Sequence, residues 1–147
     1  MKNFFLKNVL FYIYSFYFIY IFGIFFFSEL LNSANFVHGY LLGNDSIRYI
    51  EGAKKILDLQ VPEGKGNSYL GYIFFLVPFY YFKIDLSFVV IVQILLTFIS
   101  SLCLYKISLK FSSKSGALFC LCLYLFYLPL QIRNFYILTE TLFICTI

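Results

Sequence analysis

The sequence predicts an all-α fold: a polytopic bundle of transmembrane helices, with an amphipathic surface helix in the first extracytoplasmic loop. Three observations carry this. Of 147 residues, 62% are hydrophobic and 12% are charged, about half the charged share of a soluble domain. Residues 9–27 and 86–105 carry no charge; at 1.5 Å per residue each rises about 28–30 Å, the thickness of the hydrocarbon core. Between them Ile47, Ile50, Ala53 and Leu57 recur at three- and four-residue spacing, with Arg48, Glu51, Lys54, Lys55 and Asp58 on the other side. That is an amphipathic helix suited to a membrane surface.

The first apolar run, 9–27, follows Lys2 and Lys7, which places the N-terminus in the cytoplasm. It is long for a signal peptide, and Ser28-Glu29-Leu30-Leu31 offers no small-x-small cleavage site, so it reads as an uncleaved anchor. Residues 28–85 then form the first extracytoplasmic loop. Residues 28–40 are a polar and aromatic connector holding the single histidine, His38, which has no Cys, Asp or Glu beside it and so makes a poor metal ligand. Asn44, Asp45 and Ser46 are three helix-capping residue types in a row. Val61-Pro62-Glu63-Gly64-Lys65-Gly66-Asn67 ends the helix in a loop.

Residues 69–82 rise only about 21 Å and contain Pro78 and four interface-seeking tyrosines. If they spanned the membrane, Lys106, Lys110 and Lys114 would face outward, against the positive-inside rule. If they lie in the outer interface, 86–105 runs inward and the three lysines join Lys2 and Lys7. The second topology is preferred. A third span then starts near Gly116, runs over 116–130 with help from Ser112-Ser113 and Gln131-Ile132, and returns to the outer face. The run 135–147 is interrupted by Glu140.

Net charge is +4, spread along the chain with no basic stripe, so nothing points to nucleic acid. Cys103, Cys120, Cys122 and Cys145 all sit in apolar runs and show neither metal spacing nor a disulfide framework.

Three charged residues could carry chemistry. Asp45 has a plain structural reading, capping the surface helix and pairing with Arg48 at i, i+3; a carboxylate fixed there is also well held for catalysis. Glu140 interrupts an apolar run, where an acid costs roughly 2.5–3.5 kcal/mol and usually faces a cavity or a partner, Arg133 being one. Arg133 presents a planar fork of donors suited to phosphate, or anchors the interface. Lys54 and Lys55 read as lipid-headgroup contacts.

The order of these features resembles the polytopic glycosyltransferases of the type C superfamily, which include the protein mannosyltransferases and the lipid A aminoarabinose transferase. The matching parts are one N-terminal span; a loop with an acid followed by Tyr and a surface helix (Asp45, Tyr49, Ala53); an aromatic-proline segment (Leu70-Gly71-Tyr72-Ile73-Phe74-Phe75-Leu76-Val77-Pro78); a span leading to a basic loop and a glycine (Tyr105-Lys106 to Gly116); and an acid near the outer face in Thr139-Glu140-Thr141-Leu142-Phe143. The resemblance implies a multi-pass protein of the cell membrane that takes a sugar from a polyprenyl phosphate. Asp45 would be general base on the acceptor hydroxyl and Glu140 would orient acceptor or sugar. Arg48, Tyr49 and Arg133 would bind substrate, the sugar being transferred with inversion. It implies membrane lipids as partners and leaves a divalent metal open, since relatives differ. It also implies that residues 1–147, a single membrane domain, are the N-terminal part of a longer transmembrane module. The alternatives are a non-catalytic small membrane protein or assembly subunit, with Asp45 as a cap, and a transporter piece with Glu140 on an ion path.

Overall fold

The computed structural model describes residues 2–31, 36–37, 40–61 and 69–137; His38, the loop from Pro62 and Glu140 lie outside them. The described chain is mostly helical, with a two-stranded ladder. In order come α1 (Lys2–Leu31), β1 (Phe36–Val37), β2 (Tyr40–Leu41), α2 (Asn44–Leu57), α3 (Leu70–Tyr81), α4 (Ser87–Phe111), α5 (Lys114–Phe126) and α6 (Leu128–Arg133). The ladder falls partly within what the sequence reads as a connector: Phe36 pairs with Leu41 and Val37 with Tyr40, antiparallel.

Two of these helices, α1 over Asn8–Phe27 and α4 over Ser87–Phe111, are long and apolar enough to cross a membrane. They run antiparallel. The Tyr14 hydroxyl meets Ser101 Oγ at 3.2 Å, the Phe18 and Phe98 rings lie 6.0 Å apart, and further on Phe22 and Phe25 line one groove with Ser87 and Val90. α4 starts where the Asp85 carboxylate accepts from the Ser87 N–H at 2.8 Å, an Asx cap on an otherwise unsatisfied donor.

α4 and α5 form a tight antiparallel hairpin through Ser112 and Ser113. Ser113 Oγ accepts from the Gly116 N–H at 3.3 Å, capping α5. A Cβ on Gly116 would meet the Ser112 hydroxyl, which would have to rotate away. On α5, Ala117, Leu121 and Leu125 recur every four residues and are fully buried, facing Tyr17, Ile21, Val90 and Tyr105 in one core.

The third apolar run departs from expectation. It is no continuous span: α5 has 13 residues, about 20 Å, and the chain breaks at extended Tyr127 (φ −73°, ψ 98°) before six-residue α6. Pro129 is the cause. It lacks the N–H that would continue α5, and its ring would strike the carbonyl four residues back. In the first turn of α6 that missing donor is harmless.

The buried face of α2 overlaps only in part the one its apolar spacing predicts: Ala53 and Ile50 are on it, Ile47 is not. Ser46, Tyr49 and Ala53 are buried, whereas Ile47 is 49% exposed. The reason is α3, which packs on that side. A Cβ on Gly52 would sit 2.8 Å from Ile73 Cδ1; glycine and Ala53 admit a helix approach that larger residues forbid. Gly52→Leu is therefore expected to cost about 1–3 kcal/mol, read as a lowered unfolding midpoint in detergent. A wild-type midpoint would contradict the close approach. α2 and α3 run in roughly the same direction, since Tyr49 meets Tyr69 and Tyr72 and Lys54 Nζ lies 5.6 Å above the Tyr80 ring.

Both helices end alike. After α2, the Leu59 N–H donates to the Ile56 carbonyl and the Gln60 N–H to that of Lys55, with Leu59 at φ 58°. After α3, the Lys83 N–H donates to Tyr80 and the Ile84 N–H to Phe79, with Lys83 at φ 53°. These are Schellman turns whose left-handed position, usually glycine, holds a leucine and a lysine.

Candidate functional site

α2 begins on Gly43, whose N–H donates to Ser46 Oγ at 3.0 Å while the Ser46 N–H donates to the Gly43 carbonyl at 3.0 Å. The buried serine thus supplies the reciprocal half of a capping box. Asp45 is therefore not the cap that its position suggests. It stands in the first turn, where the helix N-terminus favours a negative charge. The expected pair with Arg48 forms: Arg48 Nη1 donates to Asp45 Oδ1 at 2.8 Å, with the two side chains 54% and 56% exposed. An exposed pair of this kind is worth about 0.2–1 kcal/mol.

Tyr49 points inward. It is buried, edge-on to Tyr69 (5.4 Å, 65°) and Tyr72 (5.3 Å, 71°). It holds α2 on α3 and is not an open binding side chain. Arg133, exposed at the end of α6, opens the segment that meets the start of α2. The Leu41 N–H donates to the Phe135 carbonyl at 2.7 Å, Leu41 bridges Tyr136 in parallel, and Gly43 lies against the Tyr136 ring. Asp45 and Arg133 thus flank one junction, without a direct contact between them. Glu140 is outside the described residues, so its pairing with Arg133 is not part of this geometry.

Phe135 also lines an apolar groove of about 450 Å³ between α1 and α4, beside Phe22, Phe25, Ile91 and Ile94. Phe135 therefore lines the groove with its ring and holds Leu41, four residues before Asp45, with its carbonyl.

Beneath the junction runs a buried polar network that the sequence reading missed. Tyr17 OH donates to Gln131 Oε1 (3.0 Å), as does Asn134 Nδ2 (3.0 Å), and Gln131 Nε2 donates to the Tyr124 carbonyl (3.1 Å). Thr97 Oγ1 lies 3.0 Å from both Asn134 Oδ1 and the Gln93 carbonyl. With its amide nitrogen toward the carbonyls of Asn134 (3.1 Å) and Tyr136 (3.2 Å), Gln93 donates to both, and its oxygen accepts from Tyr72 OH at 3.3 Å. Gln93, Thr97, Gln131 and Asn134 are all buried. A signal existed: Gln93, Thr97, Ser101 and Tyr105 fall every four residues in an apolar run, one inward stripe of α4.

Near this site burial raises the Tyr40 hydroxyl above its ordinary value, with the Asp85 charge adding to it. Burial, then the neighbouring Tyr40, pushes Tyr80 up to about 12. A raised phenol contributes stability fully present below its unfolded value near 10 and lost as pH rises toward 12. Tyr80→Phe, which keeps the ring under Lys54, should flatten that alkaline loss in detergent melts. Superimposable profiles for variant and wild type would contradict it.

Among the described residues no cluster of three His, Cys, Asp or Glu could hold a metal. Comparison with family models, with curated proteins and with solved structures finds no match.

Proposed function

We propose that the chain is the acceptor-activating region of a polytopic membrane glycosyltransferase that uses a polyprenyl-phosphate sugar on the extracytoplasmic side. The observation that carries this is the juxtaposition at Phe135. An exposed, Arg-paired carboxylate and an apolar groove sized for a lipid chain both adjoin the 135–136 junction.

Membrane insertion is supported by the distribution of side chains. Phe11, Phe16, Ile19, Phe22, Ile91, Leu95 and Ile99 are exposed while Gln93, Thr97, Ser101, Gln131 and Asn134 are buried, the arrangement favoured in lipid. The topology is supported by charge. The antiparallel order of α1, α4 and α5 gathers the start of α1 with Lys106, Lys110 and Lys114 at one end, and residues 1–28 and 86–139 contain no acid. Asp45, Arg48 and the α2–α3 pair are then at the outer end, with α3 in the interface.

In the proposed reaction Asp45 takes the acceptor hydroxyl proton. The oxygen attacks the anomeric carbon, and the bond to the lipid phosphate breaks with its electron pair on the departing phosphate, inverting the centre. Arg48 and Arg133 receive the phosphate charge. Glu140 orients acceptor or sugar. The test is transfer of labelled sugar from a synthetic polyprenyl-phosphate hexose in membranes carrying the chain. Product dependent on Asp45 supports the reading, and equal product from Asp45→Asn removes it.

A second reading has its own observation. Asp45 bonded to Arg48 at 2.8 Å in a first helical turn is also what a purely structural role requires, in a non-catalytic membrane subunit.

A further inference from the structure

Large apolar side chains at the ends of α2 and α3 are exposed, with the Tyr81 and Phe82 rings edge to face at 5.0 Å. Leu59 is 96% exposed, and Val61, Tyr81 and Phe82 are more than two-thirds exposed. Leu59 is doubly anomalous, being fully exposed and left-handed where glycine is the ordinary choice. A bulky apolar residue kept in such a position points to a surface that needs it.

The Lys54–Tyr80 contact brings the two helix ends side by side, so the two Schellman turns form one lip. Lys54, Lys55 and Lys83 adjoin these turns in the chain, as do Asp58 and Asp85. The lip's location is set by the chain: only Asp85 and Leu86 separate Ile84 from the first residue of α4. Ile84, in the second of these turns, is therefore within about 10 Å of the start of a membrane-length helix. Exposed apolar tips with more lysines than acids beside them, near the end of a membrane-length helix, match the boundary between acyl chains and phosphates.

We propose that this lip is a lipid anchor: Leu59, Val61 and Phe82 enter the outer headgroup boundary of the bilayer, with Lys54, Lys55 and Lys83 beside lipid phosphates. The contact replaces the one expected from the apolar spacing of α2, whose packed face is given to α3. The proposal rests on the membrane reading of α1 and α4 and is independent of glycosyl transfer.

The chain contains no tryptophan, so single substitutions serve as reporters. L59W, F82W, E51W and L95W are each reconstituted as the whole chain into phosphatidylcholine vesicles brominated at shallow or deep acyl positions. L95W, on the exposed side of α4, is expected to be quenched by deep bromine. L59W and F82W should emit to the blue of E51W, lose most of their emission to shallow bromine, and resist aqueous iodide; E51W should behave in the opposite way. Iodide quenching of L59W and F82W equal to that of E51W overturns the anchor. Shielding of both from bromine and iodide also overturns it, the cover then being protein. If L95W escapes bromine, the membrane reading fails and the anchor with it.

Discussion

Asp45→Asn is expected to lower sugar transfer by about 10²–10⁴-fold, the contribution of a positioned general base. The change keeps the shape and one oxygen for Arg48 but cannot accept the acceptor proton. Its effect on folding should stay below about 1 kcal/mol, because the Asp45–Arg48 pair is exposed. The two measurements together separate the readings. Transfer lost with an unchanged melt identifies a base, whereas an unchanged transfer rate leaves Asp45 only its place in the first turn.

The second large effect belongs to Gln131. Its side chain accepts from Tyr17 and Asn134 and donates to the Tyr124 carbonyl, tying α1 to α6 and to the end of α5. Gln131→Leu fills the space but strands three polar partners in a buried setting, at about 1–3 kcal/mol for each that finds no substitute. The expected result is a melt lowered by more than any single exposed substitution, with looser α6 and therefore a looser 135–136 junction. Gln131→Glu, which keeps an acceptor for Tyr17 and Asn134, should recover part of the loss. A Gln131→Leu protein as stable as wild type would mean that the network does not hold α6.

How far the sequence could be read follows from the range of each interaction. The helices α1 and α4 were legible because an unbroken apolar run records its length directly. The existence of α2 was legible from spacing, and its apolar face in part: Ala53 is buried and Ile50 packs on the same cluster, while Ile47 is exposed and Gly52 meets Ile73. Pro129 stands inside the predicted span 116–130, and its missing N–H is what splits that run into α5 and α6. The stripe Gln93, Thr97, Ser101 and Tyr105 was written at helical spacing and could have been found. The pairing of Leu41 with Phe135 and Tyr136 joins segments far apart in the chain and leaves no local mark. At the site, the Asp45–Arg48 pair was foreseen from i, i+3 spacing, while the burial of Tyr49 against Tyr69 and Tyr72 was not.

Sugar transfer at Asp45 requires it and the lysine-rich end to lie on opposite sides of a membrane. The direct measurement uses the chain with its native cysteines replaced, carrying one cysteine at Asp58 or at Lys110, in intact cells treated with an impermeant thiol reagent. The account predicts that Asp58→Cys is labelled from outside and that Lys110→Cys is labelled only after permeabilisation. Labelling of Lys110→Cys in sealed cells would contradict it.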